Sequence, residues 1–142
     1  MNSSIIRDLN FIKYANILQK SGHAFFDNFP TTEPEGMGFV YLWVEIDGQS
    51  KTIVYVGKAG KTMRKRCFEH DKGFSGISKS AAALRNSEKI CQGIASGKNY
   101  NVYYRKSETM TIFDEKISIH CLEEEALINK LKNTTNKYIW NS

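Results

Sequence analysis

Side chains able to move protons and to stabilise negative charge are concentrated in residues 53–70, "IVYVGKAGKTMRKRCFEH". A β-branched run ends at Tyr55 and Gly57, and the following segment, rich in Lys and Arg, contains Arg66 and His70. Because Arg66 and His70 are four residues apart, they would share one face of a helix. A phenol, a guanidinium and an imidazole at this spacing could perform acid–base chemistry beside a bound anion.

A second tyrosine, Tyr41, lies in the preceding segment. "GFVYLWVEI" (38–46) alternates in the manner of a strand, and "KTIVYVG" (51–57) is its return strand, so 38–57 is predicted to be a β-hairpin. A three-residue loop at 47–49 would set Tyr41 directly opposite Tyr55, whereas a shift of one residue would put the two hydroxyls on opposite faces. Two tyrosines on one sheet face are most often packing residues.

An acidic candidate, Glu124, lies in the run "EEE" near the C-terminal end of the chain. Leu127, Ile128 and Leu131 follow at helical spacing, so Glu124 lies along an apolar stripe. A carboxylate on a buried stripe is costly unless it is paired or bound to a cation. The alternative is a carboxylate at the edge of the stripe that reaches solvent, and the helix pattern alone does not decide between the two.

The remaining patterns predict the elements that would position these residues. Residues 4–20 have helical spacing of apolar residues and end at Ser21-Gly22, and 28–38 contains both prolines and is predicted to be a loop. A short helix after Gly57 ends at Gly73, followed by a helix (77–97), a strand (100–106) and a helix (118–133) with Ser118 as N-cap. The fold class is therefore α+β, with a small antiparallel sheet of about three strands flanked by helices.

Composition sets broad limits on function. The chain has 142 residues, 41% of them hydrophobic, and a net charge of +5, which favours a polyanionic partner. The chain has an odd number of cysteines, Cys67, Cys91 and Cys121, and no signal-peptide pattern, so we expect a reducing, cytoplasmic compartment. It has no apolar run of membrane length, so we expect no membrane association. Cys67 and His70 form an isolated C-x-x-H, short of a zinc site.

Five short motifs follow one another in an order that is far more specific than any one of them. They are Phe39-Val40-Tyr41, Tyr55-Val56-Gly57, Arg66-Cys67-Phe68-Glu69-His70, Glu124-Glu125-Ala126-Leu127-Ile128, and Asn136, twelve residues after Glu124. In this order the chain resembles the GIY-YIG nucleases over about 38–136. It departs from the family in the first motif, where Phe39 stands in place of a glycine and Gly38 lies one position earlier.

The resemblance implies hydrolysis of a nucleic-acid phosphodiester and a role for each matched residue. Tyr41 would be the general base, and Tyr55 would bind the phosphate or its water shell. Arg66 would stabilise charge on a phosphate oxygen, and His70 would orient a tyrosine or relay its proton. Glu124 would hold a single Mg²⁺ (or Mn²⁺).

Other residues are expected to support this site. Gly57 and Asn136 would brace it rather than react. Four basic residues around it would contact flanking phosphates, with a solvated basic face as the alternative: Lys58, Lys61, Arg64 and Lys65.

The resemblance also implies an organisation. Residues 1–142 would form a single nuclease domain, with 1–37 as an N-terminal helical extension and 38–136 as the catalytic core. A recognition insertion at 73–118 would make the chain similar to the compact restriction-type members. The partner would be DNA, a homodimer is one expected arrangement, and no small-molecule organic cofactor is implied. The alternatives are a low-specificity nuclease toxin or defence effector, and a catalytically inactive nucleic-acid-binding module.

Overall fold

The structure, a computed structural model, describes residues 3–134 and 139–141. Within that part of the chain there are four helices and seven strands. In chain order they are α1 (Ser3–Asp8), β1 (Ile12–Lys20), β2 (His23–Asp27), β3 (Phe39–Asp47), β4 (Ser50–Ala59), α2 (Met63–Phe74), α3 (Ala81–Ala95), β5 (Asn99–Lys106), β6 (Thr109–Ile112), β7 (Glu115–Ser118) and α4 (His120–Thr134).

An antiparallel sheet of five strands, in the order β2-β1-β5-β3-β4, organises the molecule. β6 and β7 form a separate two-stranded hairpin. The α+β class is as predicted, but the sheet has five strands rather than about three. In the described residues no helix is long and apolar enough to cross a bilayer.

The two additional strands come from the N-terminal region, where the helix predicted over 4–20 is wrong. The helix α1 ends at Asp8, and residues 12–20 form β1 instead. Ser21 and Gly22 both have positive φ (56° and 83°), as the two central residues of a tight hairpin turn require, and they connect β1 to β2. The described residues 3–37 therefore do not form the helical extension predicted for 1–37, because their strands belong to the main sheet.

The predicted insertion at 73–118 is also corrected in part. β5 lies in the middle of the sheet, between β1 and β3, so 99–106 is part of the core. α3 begins at Ala81, where the Ser80 hydroxyl caps it by accepting from the Ala83 N–H. α4 begins at His120, after Ser118 has completed β7, so Ser118 is not its N-cap.

The alternation predicted for β3 is confirmed by how its two faces pack. Phe39, Tyr41 and Trp43 belong to one buried cluster, which includes residues of β1, β2, α2 and α3. The intervening residues of β3 belong to a second cluster that includes Leu127 and Leu131 of α4. Helices thus cover both faces of the sheet, and the face that carries Tyr41 is the face on which α2 packs.

The register of the β3–β4 hairpin differs from the predicted one. Asp47 pairs with Ser50, so the turn has two residues rather than three, and a bulge follows where Trp43 pairs with Tyr55. Tyr41 therefore faces Gly57, not Tyr55. Because the bulge compensates for the shorter turn, Tyr41 and Tyr55 still lie on one face, with ring centroids 6.4 Å apart.

Gly57 gives the Tyr41 ring its space. A Cβ at Gly57 would lie 2.2 Å from Tyr41 Cζ, whereas a Cβ at Gly60 would lie no closer than 3.4 Å to any non-neighbouring atom. We expect G57A to lower the free energy of unfolding by about 1–3 kcal/mol, because overpacking forces the ring to move. G60A should change it by no more than about 0.5 kcal/mol. Chemical denaturation of both variants tests this, and equal stability would contradict the packing of Tyr41 on Gly57.

Candidate active site

The structure brings Tyr41, Arg66 and His70 into direct contact. Arg66 Nε donates to Tyr41 Oη at 3.2 Å, and Tyr41 Oη lies 2.5 Å from His70 Nε2. Arg66 and His70 lie one turn apart on α2, whose first turn is fixed by Thr62, the acceptor of the Lys65 N–H. One hydroxyl on the sheet is therefore held between two side chains of one helix face.

His70 lies in an aromatic environment. The rings of Phe26, Trp43 and Phe74 surround it, with centroid separations between 4.9 and 6.0 Å, and the two tyrosines are equally close. Burial among these rings, together with the nearby charge of Arg66, lowers the pKa of His70 to about 3. The imidazole is thus neutral at physiological pH, and its Nε2 can accept the proton of Tyr41.

The two tyrosines differ in their access to solvent. Tyr41 is only 2% exposed, and burial, followed by the neighbouring Tyr55, raises its pKa well above the usual value, which Arg66 opposes. Burial also raises the pKa of Tyr55, while the charges of Arg66 and Lys58 lower it. Tyr55 is only partly buried and faces the cleft described next, and Tyr41 lies beneath it.

A cleft of about 480 Å³ lies over this group. Tyr55, Arg66 and His70 form part of its wall, and Glu124 reaches it from α4. Glu124 Oε1 lies 3.1 Å from Lys58 Nζ, and the two side chains are 20% and 44% exposed. Of the two interpretations left open for Glu124, pairing in a partly buried position is the one that the structure supports.

Only one carboxylate of the predicted site is available for a metal ion. The described residues contain no group of three or more His, Cys, Asp or Glu side chains arranged to hold one. Mg²⁺ keeps most of its waters and is commonly bound through one or two carboxylates, so a single Glu124 facing a polar cleft fits it. The ammonium of Lys58 is the cation that lies beside this carboxylate in the structure.

The four basic residues predicted to bind nucleic acid are placed differently from one another. Lys61 and Lys65 line a groove of about 270 Å³ that adjoins the cleft at Arg66. Lys58 pairs with Glu124. Arg64 packs over the ring of Phe29, 4.0 Å from its centroid, and near a second ring, so its guanidinium is held by aromatic side chains.

Two further residues belong to the site and were not predicted. Glu69 accepts a hydrogen bond from Arg66 Nη1 at 3.1 Å, an i, i+3 pair that the helix pattern alone could have indicated. Asn141 accepts from the N–H of Val56 at 2.9 Å and donates to its carbonyl at 2.7 Å, which occupies the free edge of β4. No local pattern reveals that contact. The predicted bracing residue Asn136 lies outside the described residues.

Comparisons with known proteins bear on the fold. No protein-family profile and no curated protein sequence matches the chain. A mutant of bacteriophage T4 EndoII is structurally similar, with 21% identity, a TM-score of 0.66, and coverage of 94% of this chain and 97% of that one. Restriction endonuclease HPY188I in complex with product DNA is also similar, with 17% identity, a TM-score of 0.56, and coverage of 96% and 81%. The chain therefore shares its fold with these two proteins.

The environment of His70 makes stability depend on pH. Its folded pKa lies below its unfolded pKa, so the unfolded chain binds more protons between about pH 6.5 and 3, and stability falls as pH falls through that window. We expect wild type to lose about 2 kcal/mol relative to H70Q between pH 7.5 and 5. Urea denaturation at both pH values measures the difference. Parallel losses in the two proteins would show that the ring is not buried in its neutral form.

Proposed function

We propose that this protein is a metal-dependent DNA endonuclease of the GIY-YIG type that hydrolyses phosphodiester bonds. The observation that carries the proposal is the hydrogen-bonded row of Arg66, Tyr41 and His70 beneath a cleft that Glu124 enters from another helix. The fold, shared with a restriction endonuclease solved with product DNA, supports DNA as the substrate.

Arg66 is the proposed stabiliser of the transition state. Its Nε is used by Tyr41 and its Nη1 by Glu69, which fixes the plane of the guanidinium at the wall of the cleft. The remaining N–H groups can donate to a phosphoryl oxygen on which charge develops, in the charge-assisted geometry that a guanidinium favours. Because the group is already fixed, little reorganisation is required when the reaction occurs.

Tyr41 is the proposed general base. Its oxygen receives a hydrogen bond from Arg66, so the hydroxyl proton is free to be donated to the neutral His70 Nε2. Tyr41 would act as the phenolate, after its own proton has been lost to solvent, and would take a proton from the attacking water while His70 holds its oxygen in place. The positive charge of Arg66 opposes the increase in the pKa of Tyr41 caused by burial, and therefore favours the phenolate at this step.

Glu124 is the proposed metal ligand, with Tyr55 beside it in the cleft. A divalent cation held by Glu124 would supply positive charge that stabilises negative charge on the phosphate. Glu124 contributes the negative charge that attracts the cation, and Tyr55 has a hydroxyl that can bind the phosphate or its water shell. Lys61 and Lys65 in the adjoining groove would contact a neighbouring phosphate.

The finer proposal is a restriction-type enzyme. Its support is the similarity to HPY188I, 81% of whose chain is covered, and a core that carries α3 and the β6–β7 hairpin within one short chain. A low-specificity nuclease would share the same site. The two differ in product pattern, because only a sequence-specific enzyme gives discrete fragments.

Plasmid cleavage tests the function. Wild-type protein should cut supercoiled plasmid in the presence of Mg²⁺ but not EDTA, and E124Q should be inactive while its DNA affinity is unchanged or higher. Y41F should be slower by a factor on the order of 10²–10⁴, the usual contribution of a general base. Discrete fragments indicate a restriction-type enzyme and a smear indicates low specificity. Undiminished cleavage in EDTA or by E124Q would refute the proposed metal role.

Arg66 and Lys65 should separate chemistry from binding. R66A should cut more slowly by a factor on the order of 10²–10³ even when enzyme saturates the DNA. K65A should bind DNA more weakly and reduce the salt dependence by about one unit of log–log slope, yet cut at the wild-type rate once saturated. Single-turnover kinetics at saturating enzyme distinguish the two. A wild-type rate for R66A would make Arg66 only a backbone contact.

A further inference from the structure

The carboxylate proposed to bind metal already has a cation beside it. Lys58 Nζ lies 3.1 Å from Glu124 Oε1. This ion pair connects β4 to α4, and its two residues are 66 positions apart in the sequence. Among the described residues, Lys58 is the only side chain that hydrogen-bonds or ion-pairs with Glu124. A partly buried carboxylate is thus neutralised by a single ammonium whose own side chain is 44% exposed.

We propose that Lys58 and a divalent cation are alternative partners of Glu124, and that metal binding releases Lys58 to a phosphate of the DNA. The inference rests on the proposed function, because it takes Glu124 as the metal ligand. It assigns Lys58 a role that the other basic residues around the cleft do not share, since neither Lys61 nor Lys65 pairs with Glu124.

Electrostatics makes the two cations compete. An ammonium and a divalent ion on one carboxylate would repel each other, and no second carboxylate of the described residues forms an ion pair with Lys58 to take it up. Exchange is feasible because an ion pair of this exposure is weak, and because the lysine stem is long and flexible. The free protein therefore binds metal less tightly than it would without Lys58.

When DNA is present, the released ammonium of Lys58 can pair with a phosphate. Lys58 pairs with Val40 and so lies on the face of β4 toward α4, and its ammonium reaches the cleft through Glu124. A phosphate beside the cleft can replace the carboxylate as its partner. Metal and DNA then favour each other's binding, and by linkage each must raise the affinity of the other by the same factor.

Binding of Mn²⁺ in the absence of DNA tests the exchange. Electron paramagnetic resonance measures free Mn²⁺ with wild type, K58Q, K61Q and E124Q. We expect K58Q to bind Mn²⁺ about two- to fivefold more tightly than wild type, which is the range that loss of a competing exposed ion pair allows. K61Q removes the same charge beside the same cleft without touching Glu124, and should stay close to wild type. E124Q should lose the site.

Duplex DNA provides the second arm. In proteins that also carry Y41F, so that the duplex remains intact, fluorescence anisotropy gives DNA affinity with and without Mn²⁺. Mn²⁺ should increase the affinity of the protein with Lys58 by a factor two to five times larger than for the protein with K58Q. Equal enhancement in both would overturn the release of Lys58 to DNA.

The outcomes separate this inference from the proposed function. If K58Q binds Mn²⁺ as wild type does while E124Q binds none, the exchange is wrong and the metal role of Glu124 stands. If K58Q and K61Q tighten binding equally, the effect is general charge and the exchange is again wrong. If E124Q binds Mn²⁺ as wild type does, the proposed metal ligand itself is wrong.

Discussion

The hydroxyl of Tyr41 is the point on which the rest of the site depends. It joins a buried strand to α2 through Arg66 and His70, and its ring occupies the space that Gly57 leaves open on the neighbouring strand. Two of the proposed site residues, Arg66 and His70, are held by this contact. Burying a phenol this deeply costs free energy unless its hydroxyl is hydrogen-bonded. The hydrogen bonds that satisfy the hydroxyl therefore stabilise the fold and also orient the guanidinium and the imidazole.

The sequence was sufficient to predict the part of the fold in which local patterns agree with tertiary packing. The alternation of β3, the hairpin and the Arg66–His70 pair were predicted because strand and helix periodicities decide which side chains share a face. The predicted pairing of Tyr41 with Tyr55 is wrong, because the turn is one residue shorter than predicted and a bulge shifts the register. Sequence periodicity does not reveal a bulge. The prediction that the two tyrosines lie on one face of the sheet is nevertheless confirmed, because the bulge compensates for the shorter turn.

The prediction for the N-terminal region is wrong because there the local pattern and the tertiary packing disagree. Ile5, Leu9, Ile12 and Ala15 have helical spacing, yet the residues from Ile12 onward pair with β2 and β5. Tertiary pairing overrides a local pattern when a long strand can satisfy its backbone on both sides. Similarly, the sequence placed Glu124 on an apolar stripe, but its partner Lys58 lies 66 positions away and could be identified only from the structure.

The charges of the cleft give a physical reason for the proposed role of a cation. Its charged lining residues are one cation, Arg66, and two anions, Glu69 and Glu124, so with a neutral His70 the formal charge of the lining is −1. Such a surface repels a phosphate, however basic the chain is overall. Lys58 brings the sum to zero, whereas a divalent cation at Glu124 brings the lining to +1 and leaves the ammonium as an additional charge. The net charge of +5 can attract DNA to the surface, but only a cation bound within the cleft makes it attractive to a phosphate.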